Sequence, residues 1–142
     1  MTKSDKALVI LLRFVGVTGL FALVAVFMPT SWMAGTHLWL GLGEMPTAPV
    51  VEYLARSLSA FYFLVGVLCL VMAADLEHYR QLVRLLAVVS AVMSAVLLGV
   101  DLAAGMPWWW SASEGPRGIV LGGLMFFLAR PRGKRELELK SK

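Results

Sequence analysis

Charge is scarce in this chain. Only 15% of its 142 residues are Asp, Glu, Lys or Arg, 59% are hydrophobic, and the mean hydropathy is +0.78. Water-soluble domains run about 25% charged and about 45–50% apolar. The shortage of charge excludes an ordinary soluble domain, and the wealth of aliphatic residues excludes a disordered chain. Cysteine is nearly missing. Cys69 stands alone in an aliphatic run, which excludes an internal disulfide, a two-cysteine redox relay and a cysteine-rich zinc site. His37 and His78 are the only histidines, and the topology below puts them on opposite sides, so they do not form a bis-histidine haem site. No phosphate-cradling glycine loop, HExxH or GxSxG occurs. A chain of this length fits one small domain.

What is present is a series of long apolar runs. Ala7–Met28 is apolar except for Arg13 and Thr18 and stops at Pro29. Its 22 residues rise roughly 33 Å, enough to cross a bilayer core of about 30 Å. A cleaved signal sequence would have a shorter apolar core and a small-residue site behind it. Phe27-Met28-Pro29 is no such site, so the run reads as a retained helix. Val50–Ala74 follows Pro46 and Pro49, and Asp75 ends it. The third run, Leu82–Ala104, lies between Arg80/Arg84 and Gly105-Met106-Pro107. The fourth is shorter: Gly118–Ala129 is its apolar part, with Ser113 as N-cap and Pro116 in the first turn, where a missing N–H costs little.

The pattern predicts an all-α polytopic membrane protein. It would be a bundle of four transmembrane helices at about 7–28, 50–74, 82–104 and 113–129, with a basic tail over 130–142. Residues 29–49 carry Trp32, His37 and Trp39 among glycines. They are too short to cross and too apolar for a free loop, and read as an outer segment lying in the membrane interface. Ten Lys and Arg fall on one side of this topology: Lys3, Lys6, Arg80, Arg84, Arg130, Arg132, Lys134, Arg135, Lys140 and Lys142. The other side has Arg56 and Arg117. The positive-inside rule then puts both termini in the cytoplasm. The pI of about 9.6 reports topology and contact with anionic lipid, not nucleic-acid binding. Trp108-Trp109-Trp110 read as an outer interfacial belt. The GxxxG spacing of Gly118 and Gly122 reads as close packing within the bundle, with self-association as its other use.

Charges inside spans cost about 2.5–3.5 kcal/mol each at a helix centre, so those present call for a reason. Arg13 is near enough to the cytoplasmic end to snorkel to inner-leaflet lipid. Glu52 and Arg56 share a helix face at i, i+4, with Ser59 and Tyr62 near it. Asp101 lies near the outer end of the third span, and Glu114 and Arg117 near the outer start of the fourth. Glu52, Arg56, Tyr62, Asp101, Trp110, Glu114 and Arg117 are therefore expected at one depth, below the outer face. Three readings of this cluster stay open: a salt-bridge network pairing Arg56 with Asp101 or Glu114, a site for a lipid headgroup, or an acid/base site. No residue set is assigned a catalytic role, and no spacing supports a metal, even with His37 and Glu44 counted.

The stretch Tyr53-Leu-Ala-Arg-Ser-Leu-Ser-Ala-Phe-Tyr resembles a group of small bacterial four-helix membrane proteins, as do Gly99-Val-Asp-Leu-Ala-Ala-Gly-Met-Pro-Trp-Trp-Trp and Glu114-Gly-Pro. These are broadly similar to the DoxX-like superfamily. The resemblance covers residues 50–129, emphasises Arg56, Asp101, Trp110 and Glu114, and implies the bacterial inner membrane. Some of the wider superfamily are tied to quinone-linked oxidoreductases. No quinone site is visible in these residues, and the cofactor stays unknown. The expected function is a non-enzymatic accessory or structural membrane subunit that binds lipid at the outer cluster and forms a homo-oligomer or joins a larger membrane complex. The alternative is a small membrane enzyme or carrier acting on an isoprenoid, quinone or sterol-like lipid, with Asp101 and Glu114 moving protons.

Overall fold

A computed structural model describes residues 2–130, all of whose regular structure is helical. The expected basic tail, beyond Arg130, lies outside the described residues. Three helices are long and apolar enough to cross a membrane: Lys3–Phe27, Pro49–Ala74 and Leu76–Ala103. They match the first three expected spans. Two compact units form. Among the described residues, one joins the first turns of the chain, through Leu8, to residues 76–130; the other is Val9–Asp75.

The first span begins earlier than its apolar residues suggest. α1 covers Lys3–Leu20 because Thr2 and Asp5 build a capping box. The Thr2 N–H donates to Asp5 Oδ2 at 2.9 Å, and the Asp5 N–H donates to Thr2 Oγ1 at 3.1 Å. Two amides without helical acceptors are thereby satisfied. The span is not one regular helix. It breaks at Phe21 and resumes as α2, Ala22–Phe27. Just before the break the Thr18 hydroxyl donates to the carbonyls of Phe14 and Val15, a bond that bends helices.

Residues 29–49 are partly helical. α3 covers Thr30–Trp39 and has no buried residue. It ends in a Schellman turn. The Leu42 N–H reaches the His37 carbonyl and the Gly41 N–H reaches that of Leu38, with Gly41 at φ 71°. His37 Nδ1–H closes the same turn onto the Gly43 carbonyl at 2.8 Å.

In the unit Val9–Asp75, α1 and α2 run antiparallel to α4, Pro49–Ala74. A Cβ on Gly19 would stand 2.8 Å from Gly66 Cα, and one on Gly66 would stand 2.8 Å from the Gly16 carbonyl. Only glycines let two backbones come this close. In the other unit α5, Leu76–Ala103, pairs with α6, Trp108–Leu128. The turn between them is a second Schellman motif, in which the Met106 N–H bonds the Asp101 carbonyl and Gly105 sits at φ 68°.

α6 corrects the reading of the fourth span. It starts at Trp108, not Ser113. The Pro107 carbonyl accepts from Trp110 and Ser111, so the tryptophans form the first turn. Ser113 is not the cap; its hydroxyl donates to the Trp110 carbonyl. Pro116 is therefore inside the helix, where it leaves the Ala112 carbonyl without its usual i+4 donor. At 21 residues α6 rises roughly 31 Å, yet its first half is too polar to count with the three apolar helices.

The glycine spacing of α6 has a partner within the chain. Gly115 lies against Leu98, Gly118 against Ser94, and Gly122 against Ala87 and Ala91 of α5. The face that could serve self-association is occupied by the chain's own hairpin.

Large apolar side chains outside the core far outnumber those in it. Leu8, Leu12, Val83 and Cys69 are fully buried, whereas Phe14, Phe27, Leu54, Phe61, Leu85, Val92 and Val100 are more than half exposed. Faces of this kind on helices of spanning length suit hydrocarbon rather than water.

Candidate functional site

The seven candidate residues divide between the two units. Glu52, Arg56 and Tyr62 belong to Val9–Asp75; Asp101, Trp110, Glu114 and Arg117 belong to the other.

Arg56 lies two turns into α4. Because α4 runs antiparallel to the first span, that position is level with the end of α2. Its Nε donates to Glu52 Oε1 at 3.0 Å, and Nη2 donates to the same oxygen at 2.6 Å and to the Met28 carbonyl at 2.9 Å. Nη1 donates to the Val26 carbonyl. Thr30 stands within side-chain hydrogen-bond reach of Glu52. The ion pair of Arg56 is with Glu52, the residue four positions earlier on the same helix. The carbonyls of Val26 and Met28 are among those a helix leaves without intrahelical partners, and the guanidinium supplies donors for both. Arg56 is thus a clamp on the end of the first span. Its forked donors are engaged by the chain itself.

This assignment carries a prediction. Arg56→Lys keeps the charge and loses the fork, so it should destabilise the chain by about 1–3 kcal/mol, close to the loss from Arg56→Gln. Amide exchange at residues 22–28 should accelerate in both variants. Full protection there in Arg56→Lys would show that charge alone suffices.

Tyr62 is half exposed, and its backbone carbonyl lies 2.9 Å from where a Gly19 Cβ would stand. Its backbone is therefore part of the glycine seam. Arg13 is exposed on α1, as a residue snorkelling to inner-leaflet lipid needs to be. His37 Nδ1 is engaged by its own turn, and among the described residues no group of three or more His, Cys, Asp and Glu is placed to hold a metal ion.

The other unit holds the second set. Trp110 Nε1–H donates to Glu114 Oε2 at 2.8 Å, one helical turn on. The indole contributes its ring to the interface and its N–H to the carboxylate. Arg117 is exposed two turns beyond Trp110 on that side of α6.

Asp101 and Ser111 differ from these. Asp101 is 8% exposed and Ser111 4%. The antiparallel register set by Gly115–Leu98, Gly118–Ser94 and Gly122–Ala91, continued one turn outward, brings Ser111 level with Asp101. Among the described residues nothing hydrogen-bonds Asp101 Oδ2 or Ser111 Oγ. Buried polar atoms are paired in the great majority of cases, so two unpaired oxygens at one level of a hairpin form an uncommon site.

Ser111 was not singled out from the sequence. Reading α6 from Ser113 left it in a loop. Its signal is the small-residue stripe Ser111, Gly115, Gly118 and Gly122, spaced i, i+4, i+7, i+11. The Asp5–Arg80 ion pair was also passed over. It joins Oδ1 to Nη2 at 2.7 Å, with both side chains largely buried.

Comparison with protein-family models, curated proteins and solved structures found no match to the chain.

Proposed function

We propose that this is a small integral membrane protein that crosses a bacterial inner membrane four times, with both termini in the cytoplasm. It acts as a non-enzymatic accessory or structural subunit, binds lipid at the outer end of the α5–α6 hairpin, and associates with copies of itself or with a larger complex. The observation that carries the reading is the buried pair Asp101 and Ser111, two oxygens at one level whose hydrogen-bonding capacity the described residues leave unused. Two other charged candidates have structural duties: Arg56 clamps the end of α2, and Glu114 holds Trp110. The charge asymmetry of the sequence supports the orientation. With α6 as the fourth crossing, Trp108–Trp110 lie at the outer interface and α3 lies along it, its exposed Trp32 and Trp39 meeting headgroups.

Two measurements test the reading. Ser113→Cys, at an exposed position, should react with a membrane-impermeant thiol reagent added to intact cells. Lys6→Cys should react only after lysis, and the buried Cys69 should stay silent in both cases. Native mass measurement from mild detergent should find the chain with retained lipid and, at high protein-to-detergent ratio, a partner or second copy. A functional, lipid-free monomer would sink the subunit reading.

A further inference from the structure

We infer that the α5–α6 tip binds a primary ammonium group between Asp101 and Ser111. The inference rests on the lipid-binding reading above and narrows it to one headgroup chemistry.

The two oxygens call for donors. An ionised carboxylate only accepts hydrogen bonds, and a serine hydroxyl accepts as well as donates. Asp101 Oδ2 and Ser111 Oγ are each shut off from water and unpaired among the described residues. Apolar tails cannot satisfy either of them. A primary ammonium carries three N–H donors on one small charged centre, so one group can bond both oxygens and neutralise the carboxylate. A quaternary trimethylammonium brings the same charge with no N–H. The chemistry therefore separates an ethanolamine headgroup from a choline headgroup.

Three arginines of the described part of this unit contact groups other than Asp101, although the buried Arg84 Nε itself has no hydrogen-bond partner among the described residues. Arg80 pairs with Asp5, Arg84 stacks over the Phe126 ring, and Arg130 stacks over Phe127. Arg117 is exposed and about 9 Å along α6 from Ser111. The acid next in line, Glu114, already accepts the Trp110 indole, whereas Asp101 Oδ2 has no donor among the described residues. The location also fits. Asp101 stands at the last turn of α5, and its backbone carbonyl closes the Gly105 turn that leads directly into the three tryptophans. Tryptophans settle at headgroup depth, where the amine of an aminophospholipid lies.

The test uses the full chain in nanodiscs of phosphatidylethanolamine and phosphatidylcholine with identical acyl chains, mixed equally. Retained lipid is counted by native mass measurement. Phosphatidylethanolamine should be retained at least tenfold over phosphatidylcholine. Asp101→Asn should abolish the preference, and Ser111→Ala should cut it about threefold. Glu44→Gln, an exposed acid in the segment after α3, should leave it unchanged. Ser111→Ala is the milder change, so it keeps the test open if Asp101→Asn fails to fold. Equal retention of the two lipids by the native chain overturns the ammonium inference and leaves the lipid-binding reading standing. Retention of neither lipid removes both. A preference that persists in Asp101→Asn also overturns the inference. Added ethanolamine at millimolar concentration assigns the source within a supported result: displacement of the lipid identifies the free amine as sufficient, and no displacement identifies the whole lipid.

Discussion

Asp5→Ala should lower stability by about 3–5 kcal/mol, the loss expected when one partner of a buried ion pair is removed. The carboxylate has two roles. Oδ2 accepts the Thr2 N–H and holds the first turn of α1, while Oδ1 accepts Arg80 Nη2 at 2.7 Å. The Asp5 side chain is 4% exposed and that of Arg80 15%, so neither charge finds water when the other goes. Arg80→Ala should be nearly as damaging, because it leaves the acid buried with only the Thr2 N–H and its remaining local contacts. Asp5→Asn should fall between, since the amide oxygen can still accept the Thr2 N–H. The pair Asp5→Asn with Arg80→Gln should cost less than the two single changes summed, as coupled charges do. Unfolding in mild detergent, followed by loss of helical signal, reads all four variants. Single losses under about 1 kcal/mol would mean that water reaches the pair and that it is an ordinary surface bridge.

Gly66→Val should cost about 3 kcal/mol, at the upper end of what overpacking does. Its Cβ would stand 2.8 Å from the Gly16 carbonyl oxygen and 3.0 Å from Gly19 Cα. Both obstacles are backbone, so neither can rotate away, and the α1–α4 seam must open along its length. Gly118 is close-packed too. There a new Cβ meets Ser94 Oγ, which a rotamer change removes, and Ser94 Cβ at 2.8 Å, which it does not, so Gly118→Ala should also destabilise, through a shift of α6 against α5. Gly123 has nothing within 4 Å, and Gly123→Ala should stabilise by about 0.5–1 kcal/mol through helix propensity alone. If Gly66→Ala and Gly123→Ala behave alike in the same unfolding assay, the close approach of α1 and α4 is wrong.

The helices were legible where apolar length decided the matter. The second and third runs became α4 and α5, extended by a few residues, because a stretch that long and that greasy has few other stable forms. The first helix was legible as a span but not at its start, where Thr2 and Asp5 form a cap the apolar count does not register. The beginning of α6 was misread for a related reason. Pro116 reads as a first-turn proline, whereas Pro107 supplies the carbonyl that starts the helix and Pro116 falls nine residues in. Of the candidate site, the pairs Glu52–Arg56 and Trp110–Glu114 are i, i+4 neighbours, a spacing visible in one sequence. The hold of Arg56 on Val26 and Met28 depends on which helix lies beside α4, which one sequence without relatives does not encode in any local pattern. The level shared by Asp101 and Ser111 needs the α5–α6 register, and the glycine stripe fixes that register only once both helices are seen to start where they do.

The glycine seams bear on how the chain can meet neighbours in a bilayer. Gly16, Gly19 and Gly66 are closed on one another in one unit, and Gly115, Gly118 and Gly122 on α5 in the other. These six glycines are therefore already taken; Gly99 and Gly123 are exposed and open, but each stands alone among branched aliphatic side chains on the outside. Contacts between such surfaces compete with acyl chains of much the same chemistry. A neighbour held in this way should come and go with its mole fraction in the membrane. Adding lipid at fixed protein should disperse the assembly, well before any helix unfolds.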